Sequence, residues 1–213
     1  MTIEDGRPGG PVRTFSKNAD LVQERRQQIM DCAIALFLEN GYHGTTIRQV
    51  SLATGLTPGA LYRYIGSKED ILHLMSRHRA ASAGEMKSFA KGFRGDTKAE
   101  LLQECIRRYI QESDRDRDYI LFFNREVGNM TRADRRAVLE SGVIDVVRFF
   151  EQILVEGIGA GEFQTDHPLS VAHDIYMLGQ VWALRRWFLR QHFSLDEYTE
   201  IHLQVVRKQI GLE

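Results

Sequence analysis

Basic, hydroxyl and aromatic side chains are concentrated between residues 40 and 68, and this combination could hold the phosphates and base edges of a nucleic acid. The segment contains no Asp or Glu, although the chain carries 29 acidic residues in all. Arg48, Arg63 and Lys68 supply its positive charge. Phosphate contacts provide much of the affinity for DNA and require such a local excess of positive charge. The segment therefore predicts recognition of a polyanion rather than catalysis.

The spacing within residues 45–68 predicts a helix-turn-helix. Val50, Ala53 and Leu56 are apolar at helical spacing. Ser51 is a small residue at the position where the two helices must cross closely, and Gly55 is a glycine at the position of the turn between them.

A second short helix is predicted over residues 58–64. Thr57 caps it, Pro58 fits its first turn, and Leu61 points into the core. We expect this helix to enter the major groove, with the small residues Gly59 and Ala60 permitting close approach. We expect Thr45 and Thr46 to cap the first short helix. The predicted DNA-contacting residues are Thr45, Thr46, Arg48, Thr57, Pro58, Gly59, Ala60, Tyr62, Arg63, Tyr64 and Lys68.

Residues 25–75 resemble the DNA-binding domain of the TetR/AcrR family of bacterial repressors. Three positions depart from the family's usual residues: Ser51 for Ala, Ile65 for Phe, and Pro58 for Lys. Because many members carry Lys where Pro58 stands, one backbone or base contact that they make with DNA is expected to be missing here. The resemblance is carried by Ile29, Ala33, Leu36, Phe37, Gly41-Tyr42, Thr45-Thr46, the residues from Val50 to Gly55, Gly59-Ala60-Leu61-Tyr62 and Lys68-Glu69-Asp70-Ile71-Leu72.

The pattern along the chain predicts an all-α fold with two domains after a tail. Residues 1–20 are the predicted flexible tail, 21–67 the helix-turn-helix domain, and 68–213 a helical ligand-binding and dimerisation domain. The tail carries Arg7, Arg13 and Lys17, which either touch DNA or have no specific role. Further helices are predicted over residues 21–40, 68–91, 97–112, 114–127, 131–158, 169–192 and 196–209, with Ser67 and Asp70 forming a capping box.

Composition places the chain among ordinary globular proteins. Its 213 residues are 43% hydrophobic and 27% charged, and the net charge of −1 makes the basic surface a local feature. Cys32 and Cys105 lie far apart in helical patterns, which predicts reduced thiols. The polar start and the lack of a long apolar run predict a cytoplasmic protein that does not enter a membrane.

A homodimer is predicted from residues 175–193, which are apolar on nearly every face. One side of this helix packs into its own domain, and the other requires a partner, most simply a second copy. The recognition helices of the two copies would then lie about 34–36 Å apart on a roughly palindromic operator of double-stranded DNA. The predicted dimerisation residues are Val181, Leu184, Phe188, Tyr198, Ile201 and Val205.

The resemblance implies a small-molecule effector in the second half. Asn124-Arg125-Glu126 and Trp182–Trp187 resemble a subset of the family that responds to acyl-CoA thioesters; another small hydrophobic or drug-like inducer is the alternative. Arg185 and Arg186 would pair with Glu126 or Asp145, or would bind an anionic group of the ligand. No permanent cofactor or metal is predicted. The predicted ligand-binding residues are Phe122, Phe123, Arg125, Phe149, Phe150, Tyr176, Trp182, Arg185 and Arg186.

Three other functions are alternatives to a repressor. An enzyme is disfavoured, since the seven His residues lack metal-ligand spacing and no phosphate loop or nucleophile motif occurs. An activator, or a regulator controlled by a protein partner, remains open. A general architectural DNA binder would be more basic than a chain of net charge −1.

Overall fold

The structure, a computed structural model, describes residues 19–129, 131–132, 135–136 and 143–212. No strand occurs within these ranges, which confirms the predicted all-α class. The described α-helices, numbered in chain order, are α1 (Ala19–Asn40), α2 (Ile47–Ala53), α3 (Pro58–Leu61), α4 (Glu69–Gly92), α5 (Lys98–Arg115), α6 (Arg117–Glu126), α7 (Asp145–Gly159), α8 (Pro168–Leu189) and α9 (Leu195–Gln209).

Most helix ends lie within a few residues of their predicted positions. The second short helix is an exception, because α3 ends at Leu61 and residues 62–64 continue as hydrogen-bonded turns. The Tyr64 N–H donates to the Leu61 carbonyl at 2.9 Å in place of a helical partner. Most of the first half of the predicted helix 131–158 lies outside the described residues. Its second half corresponds to α7. The basic tail residues Arg7, Arg13 and Lys17 also lie outside the description.

Side-chain caps explain where several helices begin. The predicted capping box before α4 is confirmed: Ser67 Oγ accepts from the Asp70 N–H, and Asp70 Oδ2 accepts from the Ser67 N–H, both at 3.3 Å. Thr97 caps α5 and Ser194 caps α9, each with a Glu three residues later. These caps satisfy backbone N–H groups that have no partner within the helix.

The chain forms two compact units. The first comprises Met1–Arg79 and Leu121–Leu139, and the second comprises Ala80–Ile120 and Glu140–Glu213. Helix α4 starts in the first unit and ends in the second, whereas α6 starts in the second and ends in the first. The predicted domain boundary at residue 68 stays a prediction.

Each unit has its own apolar core. In the first unit, residues of α1 to α4 and of the turn after α3 fill the centre and are at most 1% exposed: Ile29, Ala33, Phe37, Val50, Leu61, Ile65, Ile71 and Met75. In the second unit, α5, α7, α8 and α9 supply the core, with Cys105, Ile106, Ile110, Phe150, Leu154, Ala172 and Ile175 fully buried. The first core holds the two short helices in place, and the second holds the apolar helix α8.

Candidate nucleic-acid interface

Helix α2 starts at a capping box made by Thr46. The Thr46 hydroxyl accepts from the Gln49 N–H at 3.3 Å, and Gln49 Oε1 accepts from the Thr46 N–H at 2.8 Å. Thr45 does not cap the helix, which corrects our expectation. Its side chain is buried, and its hydroxyl donates to the Gly41 and Leu36 carbonyls at 2.9 and 3.2 Å. Thr45 therefore holds the preceding turn together, and we leave it out of the interface proposed below.

The turn between α2 and α3 depends on a glycine and on two buried hydroxyls. Gly55 has a φ of +68°, a conformation that glycine adopts without strain. Ser51 Oγ donates to the Leu56 carbonyl at 2.5 Å, and the buried Thr54 hydroxyl donates to the Val50 carbonyl at 2.9 Å. Of the three apolar residues at helical spacing, Val50 is buried, Leu56 is half-buried and Ala53 is exposed. The turn fixes α3 against α2 through these hydrogen bonds.

Helix α3 presents its first residues to solvent. Thr57 Oγ1 accepts from the Ala60 N–H at 3.2 Å, Pro58 occupies the first turn, and Leu61 is fully buried, as the sequence predicts. Nothing lies within 4 Å of a Cβ built on Gly59, so this surface is open. Of the other predicted DNA contacts, Arg48, Pro58, Tyr62 and Arg63 are exposed, while Ala60 and Tyr64 are half-buried.

Lys68 has a structural role beside its predicted contact with a phosphate. Its Nζ donates to the carbonyls of Tyr42 at 2.8 Å and Thr45 at 3.1 Å. The same ammonium lies 4.3 Å from the centre of the Tyr42 ring. An ammonium has three N–H donors, so two carbonyl contacts leave capacity for one more acceptor.

The outer side of α8 and α9 carries the predicted dimerisation residues. Val181, Phe188, Ile201 and Val205 are 38–48% exposed, and Leu184 is half-buried. Tyr198 is the exception, which corrects its placement. Its ring is 3% exposed and lies 4.9 Å from the Trp182 ring, and its hydroxyl donates to the Leu178 carbonyl at 2.8 Å. Tyr198 therefore belongs to the core of its own unit.

The predicted ligand-binding aromatic residues of the second unit are packed together in its core. Phe149, Phe150, Tyr176 and Trp182 are all at most 9% exposed. The Phe149 and Phe150 ring centres are 5.2 Å apart in an edge-to-face arrangement. The four side chains stabilise this unit whether or not an effector touches them.

The partner of Arg186 is Asp114, a residue that we did not consider from the sequence. Arg186 Nε lies 3.1 Å from Asp114 Oδ1, and the Trp182 indole N–H donates to the same oxygen at 2.7 Å. Arg186 is half-buried and Arg185 is exposed. The expected pairing of these arginines with Glu126 or Asp145 is therefore wrong for Arg186, whose charge is balanced across α5 and α8.

Three other predicted ligand-binding residues belong to the first unit. Phe122 is 1% exposed and stacks on Phe37, with ring centres 5.1 Å apart. Arg125 Nη1 donates to the Leu38 carbonyl at 2.5 Å, and Phe123 is half-buried. Phe122 and Arg125 therefore contact α1 within the first unit. Sequence spacing could not reveal these contacts, since the partners lie more than 80 positions apart.

The two thiols are in different surroundings. Burial raises the pKa of Cys105 to about 12, and desolvation also raises the pKa of the half-buried Cys32. In the described residues, no cluster of three His, Cys, Asp or Glu side chains could hold a metal ion. No helix in those same ranges has the length and apolar character to cross a bilayer.

Comparison with known proteins gives matches over both units. The family model described as "Bacterial regulatory proteins, tetR family" matches residues 29–75, and that described as "Tetracyclin repressor-like, C-terminal domain" matches residues 95–210. The chain is 30% identical over 190 residues to the HTH-type transcriptional regulator HbdR of Aromatoleum sp. (strain CIB), a match that covers 89% of this chain and 82% of that protein.

Two solved structures share the fold. FadR from Bacillus subtilis, in complex with stearoyl-CoA, has a TM-score of 0.70 at 22% identity over 87% of this chain and 99% of that chain. AibR, in complex with isovaleryl coenzyme A and operator DNA, has a TM-score of 0.69 at 19% identity over 89% of this chain and 100% of that chain.

Proposed function

Because this chain belongs to the TetR family of bacterial regulatory proteins, we propose that it represses transcription as a homodimer on a palindromic operator. The observation that carries the proposal is the exposed start of α3 beside an exposed Arg48, on a segment without acidic residues. Thr57, Pro58, Gly59 and Tyr62 would meet base edges and groove walls, and the basic residues would meet phosphates.

The homodimer accounts for the exposed apolar residues of α8 and α9. Side chains such as Val181 and Phe188 leave apolar area in water, and a second copy would cover the same surface on both protomers. Burial of apolar area contributes roughly 25 cal/mol per Å² and is the usual driving force for such assembly. In the dimer, the two α3 helices would lie in successive major grooves on the same face of the duplex.

For the effector, we propose an acyl-CoA thioester. Support comes from the resemblance of Asn124-Arg125-Glu126 and Trp182–Trp187 to the acyl-CoA-responsive subset, and from the ligands of the FadR and AibR structures. The effector would bind the second unit with higher affinity in a conformation that does not fit the operator, and DNA would then be released by linkage. A non-CoA apolar inducer is the alternative.

Selection of duplexes from a random library with the full-length chain tests the DNA part. We expect one palindromic sequence to be enriched and footprinting to protect two half-sites about one helical turn apart. Enrichment of no sequence would contradict a sequence-specific regulator. Mapping the selected site onto the genome separates a repressor, whose site overlaps a promoter, from an activator bound upstream.

Displacement from the selected duplex tests the effector part. Butyryl-, octanoyl- and palmitoyl-CoA would be titrated against the complex, with free coenzyme A and the matching fatty acids as controls. We expect at least one thioester to release DNA and to raise the melting temperature of the protein, and the controls to do neither. Release by apolar drug-like molecules but by no thioester would replace the acyl-CoA proposal with the alternative.

A further inference from the structure

We infer that Arg125 is a positioning residue for the DNA-reading helices, acting through the turn that joins α1 to α2. The inference rests on the proposed function, because it concerns how the helices that would read DNA are held in place. Arg125 lies on α6, whose last residues belong to the first unit although the helix begins in the second. Phe122, Arg125 and Glu126 of these last residues lie against the end of α1 or the turn after it, and Arg125 Nε also lies 3.4 Å from Glu126 Oε1.

The end of α6 is anchored to α1 by an aromatic stack. Phe122 and Phe37 are both almost completely buried, and their rings stack at 5.1 Å with an interplanar angle of 29°. Phe37 in turn meets Tyr42 edge-to-face at 5.2 Å. The three rings form a continuous row from α6 through α1 to the turn, and buried rings in such contact resist independent movement.

Arg125 adds a directed hydrogen bond to this anchor. Its Nη1 donates at 2.5 Å to the carbonyl of Leu38, which lies in the last turn of α1. The last four carbonyls of a helix accept no hydrogen bond from an N–H of the same helix, and they lie at the negative end of its dipole. They therefore favour a cation. The Arg125 side chain is 52% exposed, so it can be replaced without opening a cavity in the core.

Two side chains from distant parts of the chain lie against the turn that follows α1. Lys68, the residue before α4, donates to the carbonyls of Tyr42 and Thr45. The buried Glu126 carboxylate of α6 lies 3.8 Å from a Cβ built on Gly41, whose φ is +77°. The turn ends at Thr46, the N-cap of α2. Its conformation therefore determines where α2, and with it α3, begins.

Helices α4 and α6 are also the two described helices that run from one unit into the other. Each contributes its end in the first unit to holding the turn between α1 and α2, through Lys68 directly before α4 and through Arg125 in the last turn of α6. Arg125 itself contacts no DNA in this mechanism. Arg125 determines how tightly the turn is held, and the turn determines how well the α3 helices of the two copies fit one operator.

The test compares Arg125→Ala with Arg117→Ala in the full-length chain. Both arginines lie on α6 and alanine preserves the helix, but Arg117 lies at the opposite end of the helix, in the second unit, and pairs there with its neighbour Asp118. Hydrogen exchange of the amides of residues 41–46 is measured in the free protein. We expect exchange to accelerate about 10-fold in Arg125→Ala and to be unchanged in Arg117→Ala, as loss of one charge-assisted hydrogen bond predicts.

A DNA readout separates positioning from general stability. We expect Arg125→Ala to lower the ratio of operator to random-duplex affinity about 3- to 10-fold with an unchanged salt slope, because no phosphate contact is lost. Arg125→Lys should restore part of this ratio, since an ammonium can still reach a helix-terminal carbonyl.

Two outcomes would overturn the inference. One is unchanged exchange in residues 41–46 of Arg125→Ala; the other is an equal fall of both DNA affinities together with a lower melting temperature, which marks a merely structural residue. If the wild-type chain prefers no sequence, the proposed function fails, while the exchange experiment still decides the role of Arg125 in holding the turn.

Discussion

The Glu162 carboxylate accepts a hydrogen bond from the backbone N–H of Lys98 at 2.7 Å, across 64 positions of the chain. The same oxygen accepts from the Ala99 N–H at 3.2 Å. These are among the first N–H groups of α5, which have no partner within the helix, and the helix dipole adds to the attraction. Glu162 follows α7, so this carboxylate ties the end of one core helix to the start of another.

Glu162→Gln should destabilise the second unit. The substitution removes the negative charge from two charge-assisted hydrogen bonds, and we expect the free energy of unfolding to fall by about 1–3 kcal/mol. Urea denaturation followed by circular dichroism measures the change. Glu156→Gln is the control, because Glu156 pairs with Lys98 Nζ at the surface and such pairs contribute roughly 0–1 kcal/mol. Equal effects of the two variants would contradict a special role for Glu162.

Gly179→Ala should also be destabilising, because α5 and α8 cross closely there. A Cβ at Gly179 would lie 2.3 Å from Ser113 Oγ and 2.8 Å from the Tyr109 ring. Such overpacking typically costs about 1–3 kcal/mol. Gly84→Ala on α4 is the matched control, since nothing lies within 4 Å of a Cβ built at Gly84. Alanine is more favourable than glycine inside a helix by about 0.5–1 kcal/mol. Thermal denaturation should shift in opposite directions for the two variants, and a shift in the same direction would count against the close crossing.

Val181→Glu should separate the proposed dimer. A carboxylate at this position would be buried without a partner when two copies meet, so we expect light scattering to report the monomer mass of 24.5 kDa. Val155→Glu is the control, because Val155 is 52% exposed on α7, outside the surface formed by α8 and α9. A wild-type chain that is monomeric at all concentrations, with and without DNA, would rule out the dimer.

Arg48→Ala should weaken binding to specific and random duplexes alike. Removing one phosphate contact lowers the slope of log affinity against log salt by about one. Tyr62→Ala and Thr57→Ala should instead cost about 1–3 kcal/mol mainly on the selected operator. Fluorescence anisotropy at several salt concentrations distinguishes the two patterns, and identical behaviour of all three variants would contradict the proposed groove placement. Lys68→Ala should combine lost affinity with lower stability, because Lys68 also holds two carbonyls.

His202 should make stability depend on pH. Desolvation lowers the pKa of His202 below its ordinary value of 6.5. The unfolded chain therefore binds this proton more readily, so the stability contribution is complete above pH 6.5 and is lost as the pH falls through the folded-state pKa. We expect His202→Gln to reduce the loss of unfolding free energy between pH 7.5 and pH 5, with pH 8 data correcting for the substitution itself. An unchanged difference between the two pH values would refute this role.

Features that depend on a few neighbouring residues were predictable from the sequence. The start of α3 at Thr57 and Pro58 and the Ser67–Asp70 capping box follow from side chains within four residues of the backbone groups that they satisfy. The turn at Gly55 follows from the conformational freedom of glycine. Helical periodicity likewise predicted the all-α class and an α8 that is apolar on two sides. The resemblance to the TetR family is carried by the same kind of local pattern, within residues 25–75.

Only the tertiary structure decided the partners of side chains that lie far apart in the chain. Arg186 pairs with Asp114 and Phe122 stacks on Phe37 because of how particular helices cross and rotate, which periodicity does not specify. Each step along a helix turns the side-chain direction by about 100°, so Tyr198 and Ile201, three positions apart, point roughly 60° away from each other. This difference is enough to bury Tyr198 and to expose Ile201. Local chemistry therefore sets where the helices begin, and packing sets which of their residues meet.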